Sequence, residues 1–214
     1  SMDGDVAPLR ELALAATGEH ALFVVDEAHG VGVMGPEGRG ACAAAGLSAR
    51  DVPVMVTPLG KAFGGQGALV FGATSLVEHL LQSARPYVFS TAALPALAAA
   101  MSANLRALRT EGWRRAKLAS LLARFRRGAL RHGLPLLESN TPIQPLVLGS
   151  NARALAVART LEQHGFWVAP IRPPTVPDGK ARLRITITAA HAEAEVDGLV
   201  DALAHCLDDA DATA

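Results

Sequence analysis

Three short apolar runs, Ala21–Val25, Val52–Val56 and Ala68–Phe71, punctuate the first third of the chain. Each is continuous rather than alternating and is bounded by Gly, Asp or Pro. That pattern predicts strands buried on both faces of a mainly parallel sheet. Around them the period changes to that of a helix. Residues 7–17 read as a short helix, with Pro8 near its first turn and Gly18 as its stop. Thr74 is placed to cap a helix running to Ala84, with Leu76, Val77, Leu80 and Leu81 on one face. Tyr87–Phe89 reads as a short strand, and Pro95 opens an Ala/Leu-rich helix that ends near Arg109.

The pattern shifts after Glu111. From Trp113 to Arg131, Leu118, Leu121, Leu122 and Phe125 recur at helical spacing within a basic sequence, and Gly133 stops the helix. Ile143–Leu148 reads as a strand, Asn151 as a helix cap and His164-Gly165 as a helix stop. Arg182–Thr188 alternates: Leu183, Ile185 and Ile187 face one way, and Arg182, Arg184, Thr186 and Thr188 the other. A last helix presents Val196, Leu199, Val200 and Leu203, and the tail Asp208–Ala214 is acidic and expected to fray. The expected architecture is an α/β portion over 1–111 and a small α+β portion over 112–214.

Composition narrows the function classes. Half of the 214 residues are hydrophobic and 19% are charged, which indicates a globular chain. Twenty basic and twenty acidic residues cancel, so neither nucleic acid nor an anionic membrane is an expected partner. The arginines of 113–131 are read as a solvated helix face. No apolar run reaches the ~18 residues of a membrane span. Cys42 and Cys206 match no metal-ligand spacing and read as reduced thiols of a cytoplasmic protein. Ser1-Met2 taken alone looks like an expression scar.

Chemistry concentrates at two places. The first apolar run ends in Asp26-Glu27-Ala28-His29-Gly30, and Lys61 lies in Gly60-Lys61-Ala62-Phe63-Gly64-Gly65-Gln66-Gly67. Ligands of open parallel sheets bind beyond the carboxyl ends of strands, where Asp26 is expected. A carboxylate there can keep a pyridine nitrogen protonated, and a lone lysine in a tight loop can bond an aldehyde. Together they fit a pyridoxal 5'-phosphate site. Lys61 is one of three lysines, with Lys117 and Lys180. Ala28 is small enough for a flat ring to lie against, and His29 can reach the ring's phenolic oxygen. Thr57, and Ser90-Thr91 ahead of the Pro95 helix, offer hydroxyls to a phosphate. Arg184, on a strand among apolar neighbours, suits a carboxylate. Each also has a bland reading: a loop-capping Asp, a surface Lys, a structural His, capping hydroxyls and a surface Arg. Asp26-Glu27-Ala28-His29 also spells the Mg-ATP box of DEAH-type helicases. Their phosphate loop is missing, because Met55 and Ala62 occupy the positions that motif needs.

These residues together resemble the α-oxoamine synthases, pyridoxal phosphate enzymes of fold type I. The resemblance spans nearly the whole chain: Ser1-Met2-Asp3-Gly4-Asp5, Asp26–Gly30, Gly35-Pro36-Glu37-Gly38-Arg39-Gly40, Gly60–Gly64, Ser90-Thr91 and Arg182-Leu183-Arg184. Ile143–Leu146, Ile171–Pro177 and Thr186–His191 are most similar to the branch that condenses L-alanine with a pimeloyl thioester in biotin biosynthesis. A glycine C-acetyltransferase-like branch is the alternative.

The resemblance implies that residues 1–111 are the C-terminal part of the large cofactor-binding domain and 112–214 the small domain. It implies a homodimer and, since family members carry about as much chain again before the serine run, a fragment holding the C-terminal half. Ser1-Met2 becomes native, with Ser1 near the cofactor. Asp26 would pair with the pyridine nitrogen, His29 with the phenolic oxygen, and Lys61 would be the Schiff-base lysine. Ser90 or Thr91 would reach the phosphate of the other subunit's cofactor. Arg184 would bind the amino-acid carboxylate, and Thr175 would line the entrance for an acyl chain carried by coenzyme A or a carrier protein. The family's Thr three residues before its lysine is replaced by Pro58, with Thr57 one place earlier.

Overall fold

Val25 and its neighbours enter a sheet because β-branched residues suit a pleated surface, and that sheet organises the first of two units. The computed structural model describes the backbone of residues 1–212 and the side chains of residues 1–207. Val6–Arg115 form one unit; Ser1–Asp5 and Ala116 onward form the other. Apart from helical backbone to Ala212, the expectation for the tail Asp208–Ala214 lies outside the described residues.

The Val6–Arg115 unit opens with helix α1 (Leu9–Gly18), which buries Leu9 and Ala13. Strand β1 (Val24–Asp26) follows, then the short helix α2 (Ala41–Ala44), strand β2 (Val54–Pro58) and strand β3 (Ala68–Phe71). The sheet order is β1-β2-β3. β1 and β2 are parallel, with Asp26 opposite Val56, and β2 and β3 are antiparallel, with Thr57 opposite Leu69. Leu9, Val25, Cys42 and Val52 form the core, with Phe23 and Met55 packed against it.

Helices α3 (Thr74–Ser83), α4 (Arg85–Val88) and α5 (Pro95–Thr110) complete the unit. Three expectations need correction here. Burial on both faces fails for two of the three runs: the four residues of β3 are all exposed, and in the first run Leu22 and Val24 are exposed beside buried Val25. Thr74 is the first helical residue and Ala73 the cap, with no side-chain capping bond. Tyr87–Phe89 is not a strand: Tyr87 and Val88 lie in α4, where Pro86 supplies the fixed φ that suits a first helical turn.

The second unit is built on helix α6 (Trp113–Arg131), strand β4 (Ile143–Gly149), helix α7 (Asn151–Gln163), strands β5 (Ala169–Ile171) and β6 (Ala181–Thr186), and helix α8 (Glu193–Ala212). β6 is the central strand, antiparallel to both β4 and β5. Its alternation puts Leu183 and Ile185 into one core with Phe125, Leu146, Leu161, Val196 and Leu203. Arg182, expected on the outer face, is buried and pairs with Asp3. The cap of α7 is Ser150, whose Oγ accepts the Arg153 amide at 3.2 Å, not Asn151.

The first residues of the chain are tied onto this unit. Ser139 Oγ donates to the Gly4 carbonyl at 2.7 Å, and Thr141 Oγ1 does so at 3.0 Å. Buried Gln144 donates to the carbonyls of Ser139 and Thr141 and accepts from Arg126 at 2.8 Å. No helix among the described residues is long and apolar enough to cross a membrane.

Candidate functional site

The parallel pairing of β1 and β2 carries the geometry. Parallel strands finish at the same edge of a sheet, about 4.8 Å apart. Asp26 is the last residue of β1, and the Lys61 loop leaves β2 at that same edge. Asp26 is exposed, and its Oδ1 accepts the Ala28 amide at 2.7 Å. That bond fixes the carboxylate and leaves Oδ2 to meet a ligand. Ala28 and His29 sit half-buried in the turn that follows. The turn is closed by the Gly30 and Val31 amides, which donate to the Glu27 carbonyl at 3.1 and 3.2 Å.

The Lys61 loop is firmly built although its lysine is exposed. The Leu59 amide donates to Gly67 at 2.8 Å and the Gly65 amide to Leu59 at 2.8 Å. Phe63 is buried, and Asn104 Nδ2 donates to its carbonyl at 2.6 Å. Gly64 and Gly67 have φ of 61° and 96°, which only glycine adopts at little cost. A Cβ on Gly67 would meet nothing within 4 Å, and one on Gly64 would meet only Asn104, at 3.9 Å. Thr57, three places beyond the start of β2, is buried.

A carboxylate and an amine on a rigid loop at one sheet edge fit pyridoxal phosphate, which needs an anion for its ring nitrogen and an amine for its aldehyde. Ser90 and Thr91 lie exposed between α4 and α5, and Ser90 Oγ donates to the Pro86 carbonyl.

The remaining candidates belong to the other unit. Ser1 is exposed, and its carbonyl accepts Arg184 Nε at 2.7 Å. Arg184 Nη1 donates to Thr186 Oγ1 at 3.2 Å, and partial burial draws its pKa below the usual guanidinium value. A cavity of about 420 Å³ is lined by Arg184, Trp167, Ile185, Ile187 and His191 among others. Thr175 is exposed in the β5–β6 connection, its amide donating to Arg172 at 3.0 Å. The structure thus groups Asp26, Ala28, His29, Thr57 and Lys61 on one sheet, and Ser1 with Arg184 on another.

Sequence reasoning gave no role to Glu27. It is buried, and its carboxylate accepts two backbone amides, Ala41 at 2.9 Å and Cys42 at 2.6 Å. The signal available was the pair Gly30 and Gly40, where a Cβ would fall 1.9 and 2.7 Å from that carboxylate.

Comparison with known proteins shows the family and the fold. Residues 1–203 match the family aminotransferase class I and II. The chain is 57% identical over 208 residues to the 8-amino-7-oxononanoate synthase of Stenotrophomonas maltophilia (strain R551-3), covering 97% of this chain and 51% of that protein. It is 54% identical to the synthase of that name from Xanthomonas oryzae pv. oryzae (strain PXO99A), covering 97% and 52%. Among solved structures, the serine palmitoyltransferase of Sphingomonas wittichii superposes with a TM-score of 0.92 at 31% identity, over 98% of this chain and 53% of that one. The 8-amino-7-oxononanoate synthase of Francisella tularensis gives a TM-score of 0.80 at 28% identity, over 92% and 58%. The chain spans about half the length of the curated relatives it matches. Its α/β fold is that of fold type I pyridoxal phosphate enzymes. The chain belongs to the aminotransferase class I and II family.

Proposed function

We propose that this chain supplies the lysine-bearing half of a pyridoxal phosphate-dependent acyltransferase of the 8-amino-7-oxononanoate synthase kind, joining L-alanine to a pimeloyl thioester with loss of carbon dioxide. The observation that carries this reading is the parallel pairing of β1 and β2, with Asp26 and Lys61 at one strand-end edge. Support for the substrate pair is the identity to synthases of that name. When bound, pyridoxal phosphate supplies an electron sink for negative charge developing at the amino acid's α-carbon.

The chain's own residues would act around it. Asp26 Oδ2 would hold a proton on the ring nitrogen, keeping the ring electron-poor. Its other oxygen is already satisfied by Ala28, which fixes the direction of approach. His29 would donate to the phenolic oxygen, with Ala28 against the ring. Lys61 Nζ would hold the aldehyde carbon and, once released by the incoming amine, take the proton from the alanine Cα. Thr57 would hold the phosphate, and Ser1 would stand near it or the phenolic oxygen. Ser90 or Thr91 would reach the phosphate of a second subunit in a cytoplasmic homodimer. Arg184 would bind the alanine carboxylate through its fork, and Thr175 would line the acyl entrance. In this reading residues 1–111 belong to the cofactor-binding domain and 112–214 to the small domain.

The test is a titration of the chain with pyridoxal phosphate, followed by absorbance, for wild type and Lys61→Ala. The reading expects a saturable band in wild type that L-alanine shifts and Lys61→Ala lacks. An undiminished band in Lys61→Ala contradicts it.

A further inference from the structure

Glu27 sits between Asp26 and the Ala28-His29 pair, the residues given chemistry, yet it is buried while Asp26 is exposed. Successive side chains of an extended strand face opposite sides, so Asp26 reaches the edge and Glu27 turns inward. Glu27 is 1% exposed. A buried carboxylate is costly unless its oxygens are satisfied, and these are. Oε2 accepts the Ala41 amide at 2.9 Å and Oε1 the Cys42 amide at 2.6 Å.

The backbone of Glu27 is engaged as well. Its amide donates to Val56 of β2 at 2.8 Å, and its carbonyl accepts the amides of Gly30 and Val31. One residue therefore bonds three things: the neighbouring strand, the turn bearing Ala28 and His29, and the start of α2. Gly30 and Gly40 leave the room this requires. A Cβ on Gly30 would lie 1.9 Å from Oε2, and one on Gly40 would lie 2.7 Å from the carboxylate atoms. Burial together with the Glu27 carboxylate pushes the Cys42 thiol up to about 12, as a negative neighbour should.

We propose that Glu27 is a positioning residue that, through its bonds to Ala41 and Cys42, sets the direction of the Asp26 carboxylate and the His29 ring at the end of β1. What those two groups do rests on the function proposed above; that Glu27 orients them does not.

Glu27→Gln is nearly isosteric but replaces one acceptor with an NH2 donor. One of the two amides at 41 and 42 then faces another donor, and the side chain must shift. Two readouts follow on the full chain. In NMR spectra, Glu27→Gln should move the Asp26 side-chain carboxyl and His29 ring signals along with the amide signals of Ala41 and Cys42. In the pyridoxal phosphate titration, the dissociation constant should rise about tenfold, as loss of a charged hydrogen bond allows. Unmoved Asp26 carboxyl and His29 ring signals beside displaced Ala41 and Cys42 amide signals would overturn the proposal, because Glu27 would then only brace α2.

Gly30→Ala displaces the carboxylate without removing it and should move the same Asp26 carboxyl and His29 ring signals. It decides the question if Glu27→Gln does not fold. If wild type takes up no pyridoxal phosphate, the proposed function fails for this chain, and the side-chain shifts still decide the role of Glu27.

Discussion

Arg184 Nε donates to the carbonyl of Ser1 at 2.7 Å, joining the start of the chain to the central strand β6 across nearly its whole length. The bond occupies one edge of the guanidinium, and Thr186 takes Nη1. A guanidinium held this way presents a pre-oriented fork, which lysine cannot reproduce. Arg184→Lys should weaken L-alanine binding by about tenfold or more, the cost of a bidentate charged pair. Titration of the pyridoxal phosphate-loaded chain with L-alanine reads this directly. Unchanged affinity would move the carboxylate site elsewhere.

Loss of an aromatic side chain should cost stability according to its burial. Phe125 on α6 is fully buried in the core shared with Leu146, Leu161 and Leu203. Phe125→Ala should cost about 3–5 kcal/mol. Phe89 is 77% exposed, with Arg85 stacked 5.6 Å from its ring centroid. Phe89→Ala should stay within about 0.5 kcal/mol. Denaturant midpoints for the two variants check the contrast.

Arg124 clasps α8 through Asp197, with Nε–Oδ1 and Nη2–Oδ2 both at 2.6 Å, and through Glu193. Hydrogen bonding and charge from Arg124 hold the Asp197 carboxyl below its usual range. A depressed acid contributes stability above its unfolded pKa of about 3.9 and loses it as pH falls through the lower folded value. The melting-temperature gap between wild type and Asp197→Asn should therefore narrow as pH falls from about 6 to about 3. The pair is exposed, so the gap should be small throughout and should shrink in high salt.

Cys42 gives the opposite slope. Its thiol is pushed up to about 12 by burial and by Glu27. The unfolded chain releases that proton above the ordinary thiol value of about 8.5, whereas the folded chain keeps it. Stability should fall as pH rises past about 8.5, and Cys42→Ala should flatten the decline. Denaturant midpoints at two alkaline pH values measure it.

Much of this was legible in the sequence, for physical reasons. Trp113–Arg131 and Ala68–Phe71 have the bounds their apolar patterns suggest, because each pattern is long or sharply bracketed. Asp26 and Lys61 stand out because an acid closes one apolar run and a lone lysine follows another within a few residues. The misses also have causes. A continuous apolar run does not say how much of it is covered, and β3 pairs only with β2 among the described residues, with its side chains exposed. Ser150 and Asn151 are both good caps, and only backbone geometry chooses between them. Glu27 was hidden because two adjacent acids look alike in sequence, and strand alternation decides which one turns inward.

The account depends most on Lys61 being the amine that takes the cofactor. Borohydride reduction of the chain after exposure to limiting pyridoxal phosphate, followed by peptide mass mapping, identifies that amine among the chain's three lysines. Label is expected on Lys61 alone, with Lys117 and Lys180 unmodified. Label shared evenly among the three, or confined to Lys117 or Lys180, would contradict it.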